Sequence, residues 1–150
     1  MQGSEIETLI HTYNIPNFRG ICTVASIPQL EQDEFVIFNL SPNPPGSHWA
    51  YLTLRTIDEN KKRHYELIDS LGVQRENIVR YFPQDCYVIY NSSQLQPDDS
   101  KKCGLYCVYY AVLKWENENL DFYDLTRLAF TNNVKINDAT VTDFFLRGNE

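Results

Sequence analysis

The sequence predicts an α+β domain with a mostly antiparallel central sheet flanked by helices. Three observations carry this. Four short runs rich in apolar and β-branched residues fall between residues 34 and 90, each bounded by turn residues. Helical spacing of apolar residues appears at both ends of the chain. The longest apolar helix comes after the last strand and opens at Cys103.

Each element has a local reason. Ile6, Leu9 and Ile10 stand at helical spacing within Ser4–Tyr13, with Ser4 as the expected N-cap before Glu5 and Glu7. Asn14–Gly20, with Pro16 and Asn17, reads as a turn or irregular stretch. Glu34–Leu40 is a β-rich apolar run, and Ser41–Ser47, with three prolines and a glycine, breaks it. His48–Arg55 reads as a buried strand, Thr56–Arg63 as a charged hairpin loop and His64–Asp69 as the returning strand. Val73–Tyr81 has a helical pattern, Cys86–Tyr90 is a further strand, and Asn91–Lys102 is a polar loop. Val108, Tyr109, Tyr110 and Val112 favour sheet, but the apolar run from Cys103 to Glu118 is about four turns long, which favours helix. Its stripe Leu105, Tyr109, Val112 and Leu113 reads as core. Leu120–Phe130 and Asp138–Leu146 predict two more helices.

Composition narrows the function classes. With 150 residues, residues 1–150 form one domain, long enough to bury roughly 70% of its unfolded surface. The net charge of −7 argues against a protein built around nucleic acid or an anionic membrane. No run of about 18 apolar residues exists, so no membrane span is expected. The start, MQGSEIETLIHTYN, carries acids where a secretory signal needs a basic start and an apolar stretch. A chain kept in a reducing compartment and not secreted is the expectation. Cys22, Cys86, Cys103 and Cys107 then read as reduced thiols with catalytic, metal-binding or packing roles rather than as a disulfide framework.

Three residues suggest acyl-transfer chemistry. Cys103 opens a helix, where the dipole favours a thiolate, and Lys101 and Lys102 add local positive charge. Gly104 lets another chain approach closely. His48 opens one strand and Asp69 ends its neighbour, so a base and the acid that orients it can meet across the sheet. Separately, each has an ordinary structural explanation: a surface histidine, a turn aspartate, a small residue at a helix start. Together they supply nucleophile, base and orienting acid. An oxyanion needs donors, and the Cys103 N–H is one. Gln96 and Gln94 both lie in the preceding loop as candidates for the second. Cys103 and Cys107 stand four apart, which falls short of a structural zinc set, so no metal is expected and Cys107 reads as a buried small side chain. His11 and His64 read as solvated or capping residues.

The blocks Gly46-Ser-His-Trp-Ala, Asp69-Ser-Leu-Gly, Gln94-Leu-Gln-Pro97 and Cys103-Gly-Leu-Tyr-Cys107, in this order, resemble the adenovirus-type maturation proteases, the adenains. The likeness extends to the proteases of Polinton/Maverick elements and virophages, and more distantly to SUMO-deconjugating proteases. It covers the chain from the first helix to about Lys114. It implies His48 as general base, Asp69 as orienting acid, Cys103 as nucleophile and Gln96 as oxyanion donor. Gln96 is preferred over Gln94 because its seven-residue gap to the cysteine matches the adenovirus type. Adenain has glutamate at the position of Asp69, and its C-terminus is longer.

The resemblance further implies a cysteine endopeptidase that processes capsid precursor proteins at glycine-containing sites, through a narrow cleft over Trp49 and Gly104. It places the protein in the virion and the reducing interior of an infected cell, nucleus or cytoplasm. No metal or organic cofactor is required. A short activating viral peptide is the one expected partner besides substrate, held by a disulfide to Cys86, whose ordinary reading is a buried strand residue. Stimulation by duplex DNA is not expected from so acidic a chain without the longer tail. The rival readings are a protease that removes ubiquitin-like Gly-Gly tails, and an inactive module that grips such tails.

Overall fold

A computed structural model of the chain describes residues 1–40, 48–82 and 85–147; the break expected at Ser41–Ser47 lies outside the described residues. Along the chain run helix α1 (Gly3–Thr12) and strands β1 (Phe18–Thr23), β2 (Phe35–Asn39), β3 (Trp49–Ile57) and β4 (Arg63–Ile68). Helix α2 (Arg75–Tyr81), strand β5 (Cys86–Tyr90) and helices α3 (Cys103–Glu116), α4 (Phe122–Ala129) and α5 (Val134–Arg147) follow.

The five strands form one sheet in sequence order. β2, β3 and β4 pair antiparallel, while β1 runs parallel to β2 and β5 parallel to β4. The α+β class holds, and the sheet is mixed, antiparallel at its centre and parallel at both flanks. A parallel neighbour needs a crossover, and the chain supplies two: α2 between β4 and β5, and a stretch with a 3-10 turn at Val24–Ser26 between β1 and β2.

The run in β2 shows no alternation because both faces of the sheet are covered. Phe35, Ile37, Tyr51 and Ile68 face the large core built with α1, α3, α4 and α5. Val36, Phe38, Ala50, Leu52, Leu54 and Leu67 face a smaller core against which Ile78, Tyr81 and Phe82 pack. α3 lies in the large core with every residue from Tyr106 to Val112 buried. That burial overrides the sheet preference of its valines and tyrosines. Leu105 and Leu113, expected in its core stripe, pack only partly buried at the edge.

Several boundaries differ from expectation. α1 begins two residues past Met1, and its N-cap is Gln2, whose N–H donates to the Glu5 carboxylate at 3.1 Å, so Ser4 lies inside the helix. Asn14 and Asn17 adopt left-handed φ of 54° and 68° as turn residues do, yet β1 starts immediately after them. Gly20 sits within β1 at φ +106°, where the pairing with β2 slips between Phe18 and Ile21. A strand with a glycine at its irregularity looks like a turn in sequence. The hairpin is tighter than Thr56–Arg63, because β3 continues to Ile57 and β4 starts at Arg63. α5 starts at Val134, not Asp138, because the Asn133 carbonyl side chain accepts from the Lys135 and Ile136 N–H groups.

At Gly104 the N-terminal segment packs directly on α3. A Cβ there would lie 2.8 Å from Met1 Sδ and 3.1 Å from Ile6 Cδ1. Gly104→Val should therefore destabilise the fold by roughly 1–3 kcal/mol through overpacking. Urea unfolding checks this, and an unchanged midpoint would mean that α1 is not packed on α3 at this point.

Candidate active site

Three elements deliver the site. His48 immediately precedes β3, Asp69 immediately follows β4, and Cys103 is the first residue of α3. Because β3 and β4 are antiparallel neighbours, the start of one and the end of the other lie side by side. His48 Nε2 meets Asp69 Oδ1 at 2.5 Å. Asp69 is 8% exposed and is fixed by several partners. The Leu71 N–H donates to Asp69 Oδ1 at 2.9 Å, and the Asn91 side chain bonds both the N–H and the C=O of Asp69. The acid is thus held in place independently of the histidine it faces.

The Cys103 thiol lies within hydrogen-bonding reach of the His48 ring. With Nε2 engaged by Asp69, Nδ1 is the nitrogen left for sulfur. The Trp49 N–H also donates to Cys103 Sγ, at 3.4 Å. Burial pushes the Cys103 thiol up, but the His48 hydrogen bond and charge, with the Trp49 and Gly104 N–H groups, outweigh it and leave the pKa lowered. Burial alone would lower His48, but the hydrogen bonds and negative charges of Asp69 and Cys103 raise it to about 9. The two shifts act in the same sense, toward an imidazolium–thiolate pair. Burial raises the other three thiols, Cys22 to about 11 and Cys107 well above its usual range, with Asp85 adding to the effect at Cys86. Cys103 alone among the four cysteines is tuned toward the thiolate.

Lys102 does not contribute as the sequence suggests. Its Nζ donates to Asp138 Oδ2 at 3.1 Å and to Thr142 Oγ1 at 2.7 Å, so its charge is already neutralised.

The two glutamines differ in what they hold. Both hydrogens of Gln94 Nε2 are engaged within the loop, by Gln96 O at 2.7 Å and Asp98 Oδ1 at 2.8 Å. Gln96 is 2% exposed. Its Oε1 accepts from the Ser70 hydroxyl, and its Nε2 donates one hydrogen to Ser100 O at 2.9 Å. The Ser70 C=O also accepts from the Leu95 and Gln96 N–H groups. Ser70 therefore connects Asp69 beside it to the loop that leads to Cys103. Nothing in the sequence marks this task of Ser70. Asn91, Ser100, Asn137 and Asp138 were likewise missed, since each acts on a residue distant in sequence or on a loop main chain.

Trp49 and Gly104 adjoin the thiol, and residues of α1 and the segment before it lie over them. Trp49 Nε1 donates to Met1 O at 3.0 Å, and Gly104 receives Ile6 and Met1. The close approach that Gly104 allows is thus made by the same chain. Cys86 lies apart from the other candidates, paired with Arg63 at the far end of β4 from Asp69. Arg63 is six residue steps along the chain from Asp69, or about 20 Å of extended strand. His64 bonds Asp58 Oδ2 at 2.9 Å and packs its ring, tilted by 31°, against Tyr87, a structural role. Among the described residues no cluster of three or more His, Cys, Asp or Glu side chains could hold a metal ion, and no helix is long and apolar enough to cross a membrane.

No family model matches the chain, and no curated protein matches it by sequence. Solved structures do match by shape. A structure of AvrA with IP6 and CoA superimposes with a TM-score of 0.51 at 14% identity, over 88% of this chain and 53% of that one. The central domain of Lpg1148 from Legionella pneumophila gives a TM-score of 0.51 at 14% identity, over 96% of this chain and 92% of that one. The chain therefore shares the overall α+β fold of these structures. The chain spans about half of the AvrA chain it matches, and at this identity the likeness is one of fold alone.

The ion pair has a defined pH window. His48 holds its proton more tightly folded than unfolded, so its contribution to stability is full below about 6.5 and is lost as pH rises through about 9. The lowered Cys103 pKa acts in the opposite sense, contributing above the ordinary thiol value and fading as pH falls through the lowered one. Iodoacetamide at neutral pH should therefore modify Cys103 before Cys22, Cys86 or Cys107, read by peptide mass mapping. In His48→Ala the alkylation curve should move to higher pH, because burial then opposes the thiolate with only backbone N–H groups against it. Identical curves for the two proteins would show that the imidazole does not hold the thiolate.

Proposed function

We propose that the protein is a cysteine endopeptidase of the adenain type, acting on capsid precursor proteins at glycine-containing sites. The observation that carries the reading is the convergence of His48, Asp69 and Cys103 from three elements, with a lowered thiol pKa at Cys103 alone. The resemblance of the four sequence blocks supplies the substrate class.

In this mechanism the Cys103 thiolate attacks the scissile carbonyl carbon, and the oxygen takes the negative charge. The Cys103 N–H at the start of α3 and the second hydrogen of Gln96 Nε2 donate to it. His48 then gives its Nδ1 proton to the leaving amine as the C–N bond breaks, which leaves a thioester on Cys103. Water, deprotonated by the now neutral imidazole, attacks the thioester and releases the acid. The Cys103 sulfur leaves as thiolate and the imidazolium is restored, with Asp69 keeping the ring oriented throughout. Trp49 places its main chain beside the sulfur, where a glycine in the substrate leaves room. Gly104 serves the packing of α1, and its contact with substrate would require the Met1 side chain to move.

The proposal extends to partners. β5 is one of the two edge strands of the sheet, so an extended peptide can add to it by main-chain hydrogen bonds, and a peptide carrying its cysteine as a disulfide can attach to the Cys86 sulfur by exchange, releasing the other half as a thiol. No other cofactor is needed, and the place of action is the virion and the reducing interior of the infected cell.

Cys103→Ala should abolish cleavage of capsid-derived peptides with the fold retained, a loss of several powers of ten. His48→Ala should be nearly as damaging and Asp69→Asn milder. Ubiquitin-like fusions ending in Gly-Gly, run beside the peptides, test substrate class, and their preferential cleavage would replace capsid processing with deconjugation. Activity that survives Cys103→Ala would overturn the assignment. A cysteine-containing peptide from a capsid precursor should raise the rate, and Cys86→Ser should lose part of that rise while the basal rate stays unchanged.

A further inference from the structure

The loop at residues 91–102 must present Gln96 and deliver Cys103, yet it belongs to neither sheet nor helix. Its shape has to come from side chains that grip its main chain. Two adjacent residues in the first half of α5 do this. Asn137 is 1% exposed, and its Nδ2 donates to Leu95 O at 3.0 Å, just before Gln96. Asp138 takes the other end. Its Oδ1 accepts from Ser100 Oγ at 2.8 Å and from Tyr106 OH at 3.0 Å, and its Oδ2 accepts from Lys102 Nζ at 3.1 Å. These donors keep its carboxyl below the usual carboxylate range despite partial burial. Ser100 is the residue whose carbonyl takes one hydrogen of Gln96 Nε2, Lys102 directly precedes Cys103, and Tyr106 lies about one turn after it in α3.

We propose that Asp138 is a positioning residue for the oxyanion site: by fixing Ser100, Lys102 and Tyr106 it sets where the second hydrogen of Gln96 Nε2 points relative to the Cys103 N–H. This rests on the reading of Gln96 as an oxyanion donor. Asp138 touches neither His48 nor the thiol. Its loss therefore misaligns the donors for a tetrahedral intermediate and leaves the imidazolium–thiolate pair in place. A residue of merely structural value would weaken both together.

The two effects separate with two probes of Cys103 in the full chain. Iodoacetamide forms a thioether without an oxyanion. An acetylated peptide ending in glycinal adds the thiolate to its aldehyde carbon, and the resulting hemithioacetal oxygen occupies the oxyanion site. In Asp138→Ala the alkylation rate and its pH profile should stay within about twofold of the parent, while affinity for the aldehyde falls by about tenfold to a hundredfold. Asp138→Asn, which keeps an acceptor for Ser100 and Tyr106, should recover part of that loss. Ser100→Ala, which removes one link and keeps the carbonyl that Gln96 uses, should show a smaller loss of the same kind and guards against misfolding of Asp138→Ala. Equal loss in both probes, or unchanged aldehyde affinity in Asp138→Ala and Ser100→Ala, would overturn the proposal while the parent protein still binds the aldehyde. A parent that alkylates slowly and binds no aldehyde would overturn the proposed function and this inference with it.

Discussion

A thiolate at the start of a buried helix needs a positive charge beside it, and the pairing of Cys103 with His48 supplies one. Burial alone would drive both groups neutral, raising the thiol and lowering the imidazole. Asp69, by accepting from Nε2, does most to favour the charged ring, and the ring and the sulfur each favour the charged form of the other. The rest of the fold follows from holding that pair. Antiparallel pairing of β3 with β4 places the ring against its acid, and the packing of α3 against β3 places the sulfur against the ring. The Trp49 N–H reaches Sγ because Trp49 is the first residue of the strand that His48 precedes.

The mixed sheet serves the same end. Its antiparallel centre carries the histidine and the acid at one edge of the core. The parallel crossover through α2 then brings β5 alongside β4, so that the chain leaving β5 passes Asp69 on its way to Cys103. Asn91 bonds Asp69 at the start of this passage, and the Leu95 and Gln96 N–H groups bond Ser70 midway. Asp69 and the loop at residues 91–102 are thus built as one hydrogen-bonded unit, held from α5 by Asn137 and Asp138.

Much of this is legible in the sequence, for physical reasons. Apolar runs bounded by prolines, glycines and asparagines locate β2 to β5, and a four-turn apolar stretch locates α3. His48 and Asp69 are readable because strand ends bring residues together predictably. β1 is obscured because its glycine marks an irregular pairing that looks like a turn. Gln94 and Gln96 stand two apart in one loop, and only their hydrogen bonds distinguish them, since the loop engages both amide hydrogens of Gln94. Lys102 misleads because its partner, Asp138, lies in a helix far along the chain. Gly104 reads as an opening for a foreign chain, whereas α1 makes the close approach. Such long-range side-chain contacts leave no local pattern.

The site depends on the charged state of His48, and NMR titration of its ring nitrogens observes that state directly. In the parent protein the ring should remain doubly protonated through neutral pH and lose its proton near 9. In Cys103→Ala the titration should move down, because the negative sulfur that helps hold the proton is gone while burial still opposes the charge. A ring that titrates near the ordinary histidine value of about 6.5, with or without the sulfur, would contradict the pairing on which the site is built.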